Sequence, residues 1–268
     1  MKISLGISPC PNDTYIFYAI INKKIDLHGF EFEVVFEDVE TLNLNAFKNQ
    51  LDITKLSMNA YFSCIDNYKF LDSGAALGFK NGPLLISKSL TPASSLSNKL
   101  VGIPGLNTTA NLLLSIAMPS IKNKQIMLFS DIIRNLANDS IAAGLIIHES
   151  RFIYKNFNLN LILDLGEWWY KQYSLPLPLG CIAMSRKFND STITTIEKII
   201  YESICYANKH PEECLPFIKA HSQEKDEIVI QQHIDLYVND YSLSLGETGR
   251  RAIKKLNQLA IDNNIVKK

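Results

Sequence analysis

Alternating hydrophobic and polar positions divide the chain into short strands that each lead into a helix. Residues 2–8 place Ile3, Leu5 and Ile7 on one face, which is the period of a β-strand, and a proline-rich loop then leads into a helix from about Thr14. Further strands are predicted at 31–38, 52–56, 100–103, 125–129 and 141–147, before helices at 40–48, 58–66, from about 108, 131–137 and 149–156. Repeated strand–helix units predict an α/β protein with mainly parallel sheets covered by helices.

Two extended apolar segments, at 82–87 and 178–185, interrupt this alternation, and each is entered through Gly and Pro. If the chain crosses between two lobes there, residues 89–176 form a smaller inserted lobe. Residues 1–88 and 177–268 then form a larger, discontinuous lobe, and a ligand cleft lies between the two. After residue 186 the apolar spacings predict helices to the end of the chain, as at Ile196, Ile199, Ile200 and Ile204.

Composition and charge narrow the class of protein. The 268 residues are 47% hydrophobic and 20% charged, so the chain can form a large core. Lys plus Arg and Asp plus Glu number 27 each, which disfavours nucleic acid as a partner. No uninterrupted run of about 18 apolar residues predicts a membrane span, and residues 1–9 lack the apolar core of an export signal. Five cysteines without a C-x-x-C pair are typical of free thiols, so we expect a cytoplasmic protein.

The loop at residues 8–14 is the first candidate site. It follows the first strand, at the sheet edge where open α/β proteins bind ligands. Its two prolines stiffen the backbone, and Asn12 or Asp13 can cap the next helix or face the cleft. A rigid capped turn explains the same residues equally well. No histidine nearby in sequence would activate Cys10, so any role for its thiol stays open.

The loop at residues 102–111 is a second candidate, because it ends in a helix start without an acidic residue in the first turn. The unpaired N–H groups of such a start attract carboxylates and phosphates, so they are compatible with a small carboxylate substrate. Thr108 and Thr109 could add hydroxyl groups to that site, or they could simply cap the helix.

His148 is the third candidate, since it follows the apolar run at 142–147 that is typical of a strand buried on both faces. A histidine at the carboxyl tip of such a strand can accept a proton from a bound substrate, although hydrogen bonding to the backbone is the alternative. Lys55 and Ser57 occupy another strand end, where a solvated lysine and a helix cap are the ordinary interpretation. The histidines at 210, 221 and 233 fall in the helical tail and are interpreted as surface or packing residues.

At these positions the chain resembles the 1,4-dihydroxy-6-naphthoate synthases of the futalosine route to menaquinone. The resemblance spans nearly the whole chain and is most specific in its proline-rich opening. It rests on the strings SPCPNDT at 8–14, EDVETLN at 37–43, TKLS at 54–57, GAALG at 74–78, the loop at 102–110 and GLIIH at 144–148.

The resemblance implies a periplasmic-binding-protein-like (type 2) fold, with two α/β lobes and a ligand cleft between them. It also implies cleavage of cyclic dehypoxanthinyl futalosine, without a metal or organic cofactor. By motif, His148 corresponds to the proton acceptor. Substrate-binding residues correspond to Lys55, Leu56 and Ser57 and to Thr108 and Thr109, and the cleft is expected to include Asn12, Asp13 and Asn43.

Three other functions fit the same scaffold. A solute-binding protein for a small carboxylate needs only the cleft, but it would carry an export signal. An effector-sensing regulatory domain would be expected to follow a DNA-binding segment, and none precedes the first strand. A chorismate dehydratase shares the scaffold and differs in its substrate. The sequence is compatible with a homodimer and does not determine the oligomeric state.

Overall fold

The computed structural model describes residues 1–90 and 92–266 and contains two β-sheets. The strands are β1 (Lys2–Ile7), β2 (Glu31–Phe36), β3 (Ile53–Ser57), β4 (Tyr68–Phe70), β5 (Ala76–Gly78), β6 (Leu84–Ser87), β7 (Val101–Ile103), β8 (Lys124–Ile126), β9 (Ala143–Ile146), β10 (Asn160–Asp164) and β11 (Leu177–Ser185). The first sheet has the order β2-β1-β3-β11-β4, with β5 also paired to β11, and the second has the order β10-β6-β9-β7-β8.

Helices cover the sheets and make up most of the chain after β11. The chain also contains two short 3₁₀ helices, at Ala93–Leu96 and Tyr154–Phe157. The α-helices are α1 (Pro11–Ile21), α2 (Val39–Phe47), α3 (Met58–Phe62), α4 (Thr109–Ala117), α5 (Asp131–Ala137), α6 (Ser150–Ile153), α7 (Leu165–Tyr173), α8 (Asp190–Lys209), α9 (Pro211–His221), α10 (Glu227–Tyr237), α11 (Asp240–Leu243) and α12 (Gly246–Asp262). Within the described residues every element after Ser185 is a helix, which confirms the predicted helical tail.

The prediction of mainly parallel sheets is wrong, because both sheets are mixed. β1 runs parallel to β2 and β3, and β7 runs parallel to β8 and β9. β11 is antiparallel to β3, β4 and β5, while β6 is antiparallel to β9 and β10. The two antiparallel strands at the centre of these pairings are the apolar segments that interrupted the strand–helix alternation.

The strand β6 belongs to the second sheet, where it pairs with β9 and β10. The chain therefore leaves the first sheet between Gly78 and Leu84 and returns to it at β11. The change of sheet falls some residues before the boundary at 88 used for the predicted lobes. The division into an inserted lobe and a discontinuous lobe stays a prediction. The change of sheet between Gly78 and Leu84 is the structural feature to which its first boundary can be compared.

Apolar packing holds each sheet against its helices. Ile3, Leu5 and Ile7 lie in one buried cluster with the apolar faces of α1 and α8. A separate cluster packs Ile132 and Leu136 against the second sheet. A third, larger cluster contains residues from both sheets and fixes them next to each other. No helix in the described part of the chain has the length and apolar character to span a bilayer.

The start of α1 differs from the prediction, whereas the start of α3 agrees with it. Helix α1 begins at Pro11 rather than near Thr14, because proline fits the first position of a helix, where its missing N–H is not needed. Asn12 and Asp13 therefore lie in the first turn and do not cap it; the N-cap residue is Cys10, and its side chain forms no capping hydrogen bond. Ser57 occupies the N-cap position of α3 as predicted, but its side chain makes no capping bond either.

Candidate active site

A cavity with about 650 Å³ of empty space, including the solvent at its open mouth, lies where strand ends and helix starts of the two sheets meet. Its wall combines the β1–α1 loop, the end of β3 and part of β11 with the start of α4 and the residues after β9. The lining residues are Ser8, Asn12, Asp13, Val39, Lys55, Leu56, Ser57, Ala76, Asn81, Pro83, Thr108, Thr109, Ala110, Ile147, His148, Leu179, Gly180 and Tyr237. Eight of the nine residues named as site candidates therefore line one cavity, and the ninth, Asn43, lies directly behind it.

A buried ion pair forms the floor of the cavity on the side of the first sheet. Lys55 Nζ lies 2.6 Å from Asp13 Oδ1, and both side chains are more than 90% buried. The other carboxylate oxygen of Asp13 accepts hydrogen bonds from the hydroxyl and the backbone N–H of Ser8, at 2.6 and 3.2 Å. Because the buried Lys55 is paired, its charge serves first to stabilise Asp13 and only partly to attract a ligand.

Asn12 connects this ion pair to the helical tail. Its side-chain amide donates to Asp13 Oδ1 at 2.8 Å, and its carbonyl Oδ1 lies 2.9 Å from Nε2 of His233 in α10. His233 is completely buried, and burial lowers its pKa well below the usual value, with the charge of Lys55 and the charge that His148 carries when protonated acting in the same direction. Interpreting His233 as a surface or packing residue therefore missed a polar contact to the site, since nothing in its local sequence indicates one.

Asn43 supports the cavity from behind and does not line it. Its Nδ2 donates to the Ser57 hydroxyl at 3.1 Å, and its Oδ1 accepts from the Ser57 N–H at 3.0 Å. The same amide donates to Glu40 Oε2 at 3.2 Å. These bonds hold Ser57 in place at the end of β3, next to Leu56, whose buried side chain belongs to the core.

Glu40 bridges the two sheets at the loop before α4. Its carboxylate accepts from the backbone N–H of Asn107 at 3.0 Å and from the side-chain amide of Asn107 at 2.9 Å. The helix start is free of acidic residues in its own sequence, but the fold brings this carboxylate to it from α2. Part of the predicted anion-binding capacity of the loop is therefore occupied by the protein itself.

The hydroxyl groups of Thr108 and Thr109 are also committed to the fold. Thr108 Oγ1 accepts from Asn111 N–H at 3.2 Å, as a capping residue does, and donates to Gly105 O at 2.8 Å. Thr109 Oγ1 donates to Leu179 O in β11 at 2.6 Å. The N–H groups of Thr109 and Ala110 belong to the first turn of α4, where no acceptor exists inside the helix. Those backbone groups are the better candidates for contacting an anion.

His148 lies two residues after β9 and faces the cavity from the side of the second sheet. Its backbone φ of 55° is in the left-handed region, which costs about 1–3 kcal/mol for a residue other than glycine. Burial lowers the pKa of His148 to about 4, partly opposed by the negative charge of Asp13. The imidazole is therefore neutral at neutral pH and has a lone pair available to accept a proton.

Cys10, His148 and Glu149 form a compact group next to the cavity, with one donor atom of each within 4.8 Å of the others. Burial raises the pKa of the Cys10 thiol well above its usual value, with the negative charge of Glu149 adding to the effect. Of the three side chains, His148 and Glu149 are the groups whose ordinary chemistry includes proton transfer.

The sequence of this chain matches a known protein family. Residues 3–262 match the model of a family described as menaquinone biosynthesis. A Thermus thermophilus protein named 1,4-dihydroxy-6-naphthoate synthase is 42% identical, covering 95% of this chain and 92% of the relative. A Streptomyces coelicolor protein of the same name is 33% identical, covering 95% and 91% of the two chains.

Solved structures agree with the fold. A protein from Archaeoglobus fulgidus superposes with a TM-score of 0.94 at 35% identity, over 99% of this chain and 98% of the other. A Candida albicans protein described as having the generic periplasmic-binding-protein fold superposes with a TM-score of 0.73 at 16% identity, over 100% and 92%. The predicted periplasmic-binding-protein-like architecture is confirmed, and the chain belongs to the menaquinone biosynthesis family.

Proposed function

We propose that this protein is a 1,4-dihydroxy-6-naphthoate synthase, a lyase that cleaves cyclic dehypoxanthinyl futalosine with His148 as general base. The observation that carries the proposal is the position of His148: a neutral imidazole in a cavity between the two sheets, in a chain whose relatives have that enzyme name. The cavity combines apolar lining residues with a few polar side chains, which is typical of a small-molecule site.

The reaction begins when His148 accepts a proton from the substrate. An N–H bond forms on the imidazole, and the electron pair left on the substrate forms a new π bond while the carbon–carbon bond to the sugar-derived fragment breaks. The fragment leaves with the electrons of the broken bond and takes up a proton from solvent. Formation of the aromatic naphthoate favours the forward direction. General-base assistance of this kind contributes about 10² to 10⁴ in rate.

The carboxylate of the substrate is assigned to the start of α4. The N–H groups of Thr109 and Ala110 point along the helix axis, and the partial positive charge of the helix terminus favours an anion. Lys55 and Ser57 line the same cavity. We also assign the reaction to the cytoplasm, because all five cysteines are free thiols.

A direct turnover experiment tests the proposal. The purified protein is incubated with cyclic dehypoxanthinyl futalosine, and dihydroxynaphthoate is measured by absorbance and mass. His148→Asn should lower kcat by about 10² to 10⁴, because the base is lost. Asparagine is chosen because it tolerates a left-handed backbone better than most residues.

His28 supplies a matched control, since it is exposed and also has a positive φ, of 48°. His28→Asn should leave kcat unchanged. Full activity in His148→Asn would overturn the assignment of the base. Tight binding without turnover by the unaltered protein would instead indicate a solute-binding protein, and turnover of chorismate alone would indicate the dehydratase.

A further inference from the structure

Glu149 lies between the substrate cavity and a second cavity on the outside of the protein. His148 lines the substrate cavity, whereas the adjacent Glu149 lines the outer one, together with Ser130, Gln223 and Glu224. The side chain of Glu149 is nevertheless almost completely buried. Two consecutive residues therefore lie between the substrate cavity and the outer cavity.

The carboxyl group of Glu149 has two neighbours that can exchange a proton with it. One is His148, whose ring nitrogen lies within 4.8 Å of a Glu149 oxygen and of the Cys10 sulfur. The other is His233, whose Nδ1 lies 3.9 Å from Glu149 Oε2. Among the described residues, Glu149 Oε2 and His233 Nδ1 are two of the few buried polar atoms without a hydrogen-bond partner. Such atoms are rare in native proteins, and a catalytic role or a bridging water is the usual explanation for one.

The hydrogen bonds around Asn12 determine which nitrogen of His233 carries the proton. Asn12 uses its amide N–H to donate to Asp13, so its Oδ1 is left as an acceptor toward His233 Nε2. A neutral His233 therefore carries its proton on Nε2, and Nδ1 presents a lone pair toward Glu149. A protonated Glu149 can direct its O–H toward that lone pair, whereas an ionised Glu149 finds no donor there.

We propose that Glu149 is a proton relay that takes the proton from His148 after each catalytic cycle and releases it into the outer cavity while the cleft stays closed. This inference rests on the proposed function, in which His148 is the base. In the step itself, the N–H bond of the imidazolium breaks and an O–H bond forms on the Glu149 carboxylate. The carboxyl group then gives that proton to water, which returns Glu149 and His148 to their starting states.

The electrostatics of the site support the direction of transfer. Burial raises the pKa of Glu149 to about 7, with Glu224 adding to the effect, while burial lowers the pKa of His148 to about 4. A proton therefore prefers Glu149 to His148. The other titratable groups that face Glu149 are Cys10, His233 and Tyr237, and burial holds all three in their neutral forms.

The relay is tested by the pH dependence of kcat in the full-length protein. The unaltered enzyme should gain activity as the pH rises through about 7, because Glu149 must be ionised to accept the proton. Glu149→Gln should lower kcat by about tenfold or more, leave KM within about twofold, and remove that rise. Glu149→Asp keeps a carboxylate and should restore part of kcat together with a rise near neutral pH.

A matched control removes the same charge far from the cavity. Glu31 is exposed at the start of β2, opposite Lys2 and at the end of the sheet away from the β1–α1 loop. Glu31→Gln should leave kcat and the pH profile unchanged. A Glu149→Gln enzyme with the kcat and pH profile of the unaltered protein would overturn the relay.

A measurement without substrate separates the relay from the proposed function. Infrared difference spectra recorded across neutral pH should show one buried carboxyl group that titrates near pH 7 and disappears in Glu149→Gln. Loss of turnover in His148→Asn together with normal turnover in Glu149→Gln would overturn only the relay. Absence of turnover in the unaltered protein would overturn the proposed function and the relay with it.

Discussion

The two walls of the cavity differ in how fully their polar groups are satisfied. On the wall of the first sheet, Asp13, Lys55 and Asn12 form a closed network of ion pair and hydrogen bonds. On the wall of the second sheet, His148 has a strained backbone and Glu149 has an unpaired buried oxygen. A satisfied network fixes the shape of a site, while unsatisfied groups are available to react. The first wall is therefore the scaffold, and the second carries the chemistry.

Breaking the ion pair tests the scaffold side of this comparison and has the largest expected effect on stability. Lys55→Met should lower the free energy of unfolding by about 3–5 kcal/mol, because Asp13 is left charged and completely buried. Chemical denaturation measures the change. The double variant Lys55→Met with Asp13→Asn removes both charges and should recover much of the loss. Equal instability of both variants would show that packing, rather than charge, holds this wall.

The wall of the second sheet should make the free energy of unfolding depend on pH. The pKa of Glu149 is raised in the folded protein to about 7 from a reference of 4.5. Folding therefore favours the protonated form: the stabilising contribution is complete below about pH 4.5 and is lost as the pH rises through about 7. The total change is about 3 kcal/mol.

Glu149→Gln cannot ionise, so it should lack this part of the pH dependence. Denaturation of both proteins at pH 4.5, 6 and 8 provides the comparison. A difference in unfolding free energy that stays constant across these pH values would contradict the raised pKa of Glu149. It would then indicate that the carboxyl group has its hydrogen-bond partners, as the groups on the first wall do.

The bridge between the two walls should give the smallest effect. Glu40→Gln weakens two hydrogen bonds to Asn107 by removing their charge, which is worth about 1 kcal/mol, so KM should rise several-fold with little change in kcat. Gly105→Ala breaks the same bridge from the other side, because the added Cβ would lie 2.5 Å from Glu40 Cδ. Steady-state kinetics on both variants measures the effect. A lower KM would mean that Glu40 competes with the substrate for the helix start.

Much of the fold could be predicted from local patterns. The period of Ile3, Leu5 and Ile7 indicated β1, and the spacing in the tail indicated α8. The strand directions could not be predicted, because an apolar strand has the same pattern in parallel and antiparallel pairs. The start of α1 was predicted near Thr14, but the helix begins at Pro11 with Cys10 as its N-cap residue.

The sequence also indicated most of the cavity. Loops that follow strands converge at one sheet edge, so residues such as Asp13, Ser57 and His148 were expected to meet before any contact was known. The contacts of Glu40 and His233 were missed for a common reason: each lies on a helix far along the chain from its partner. Long-range hydrogen bonds leave no local signal in hydrophobic period or motif.

The sequence by itself determined the α/β class, the helical tail and the set of loops that form the cavity, because these follow from short-range periodicity and turn chemistry. Only the tertiary structure decided which charges are paired, which donors Glu40 occupies and which buried atoms stay unpaired. Burial and distance determine those properties, and both depend on how the two sheets pack together. The pKa values near 4 for His148 and near 7 for Glu149 are therefore products of the fold.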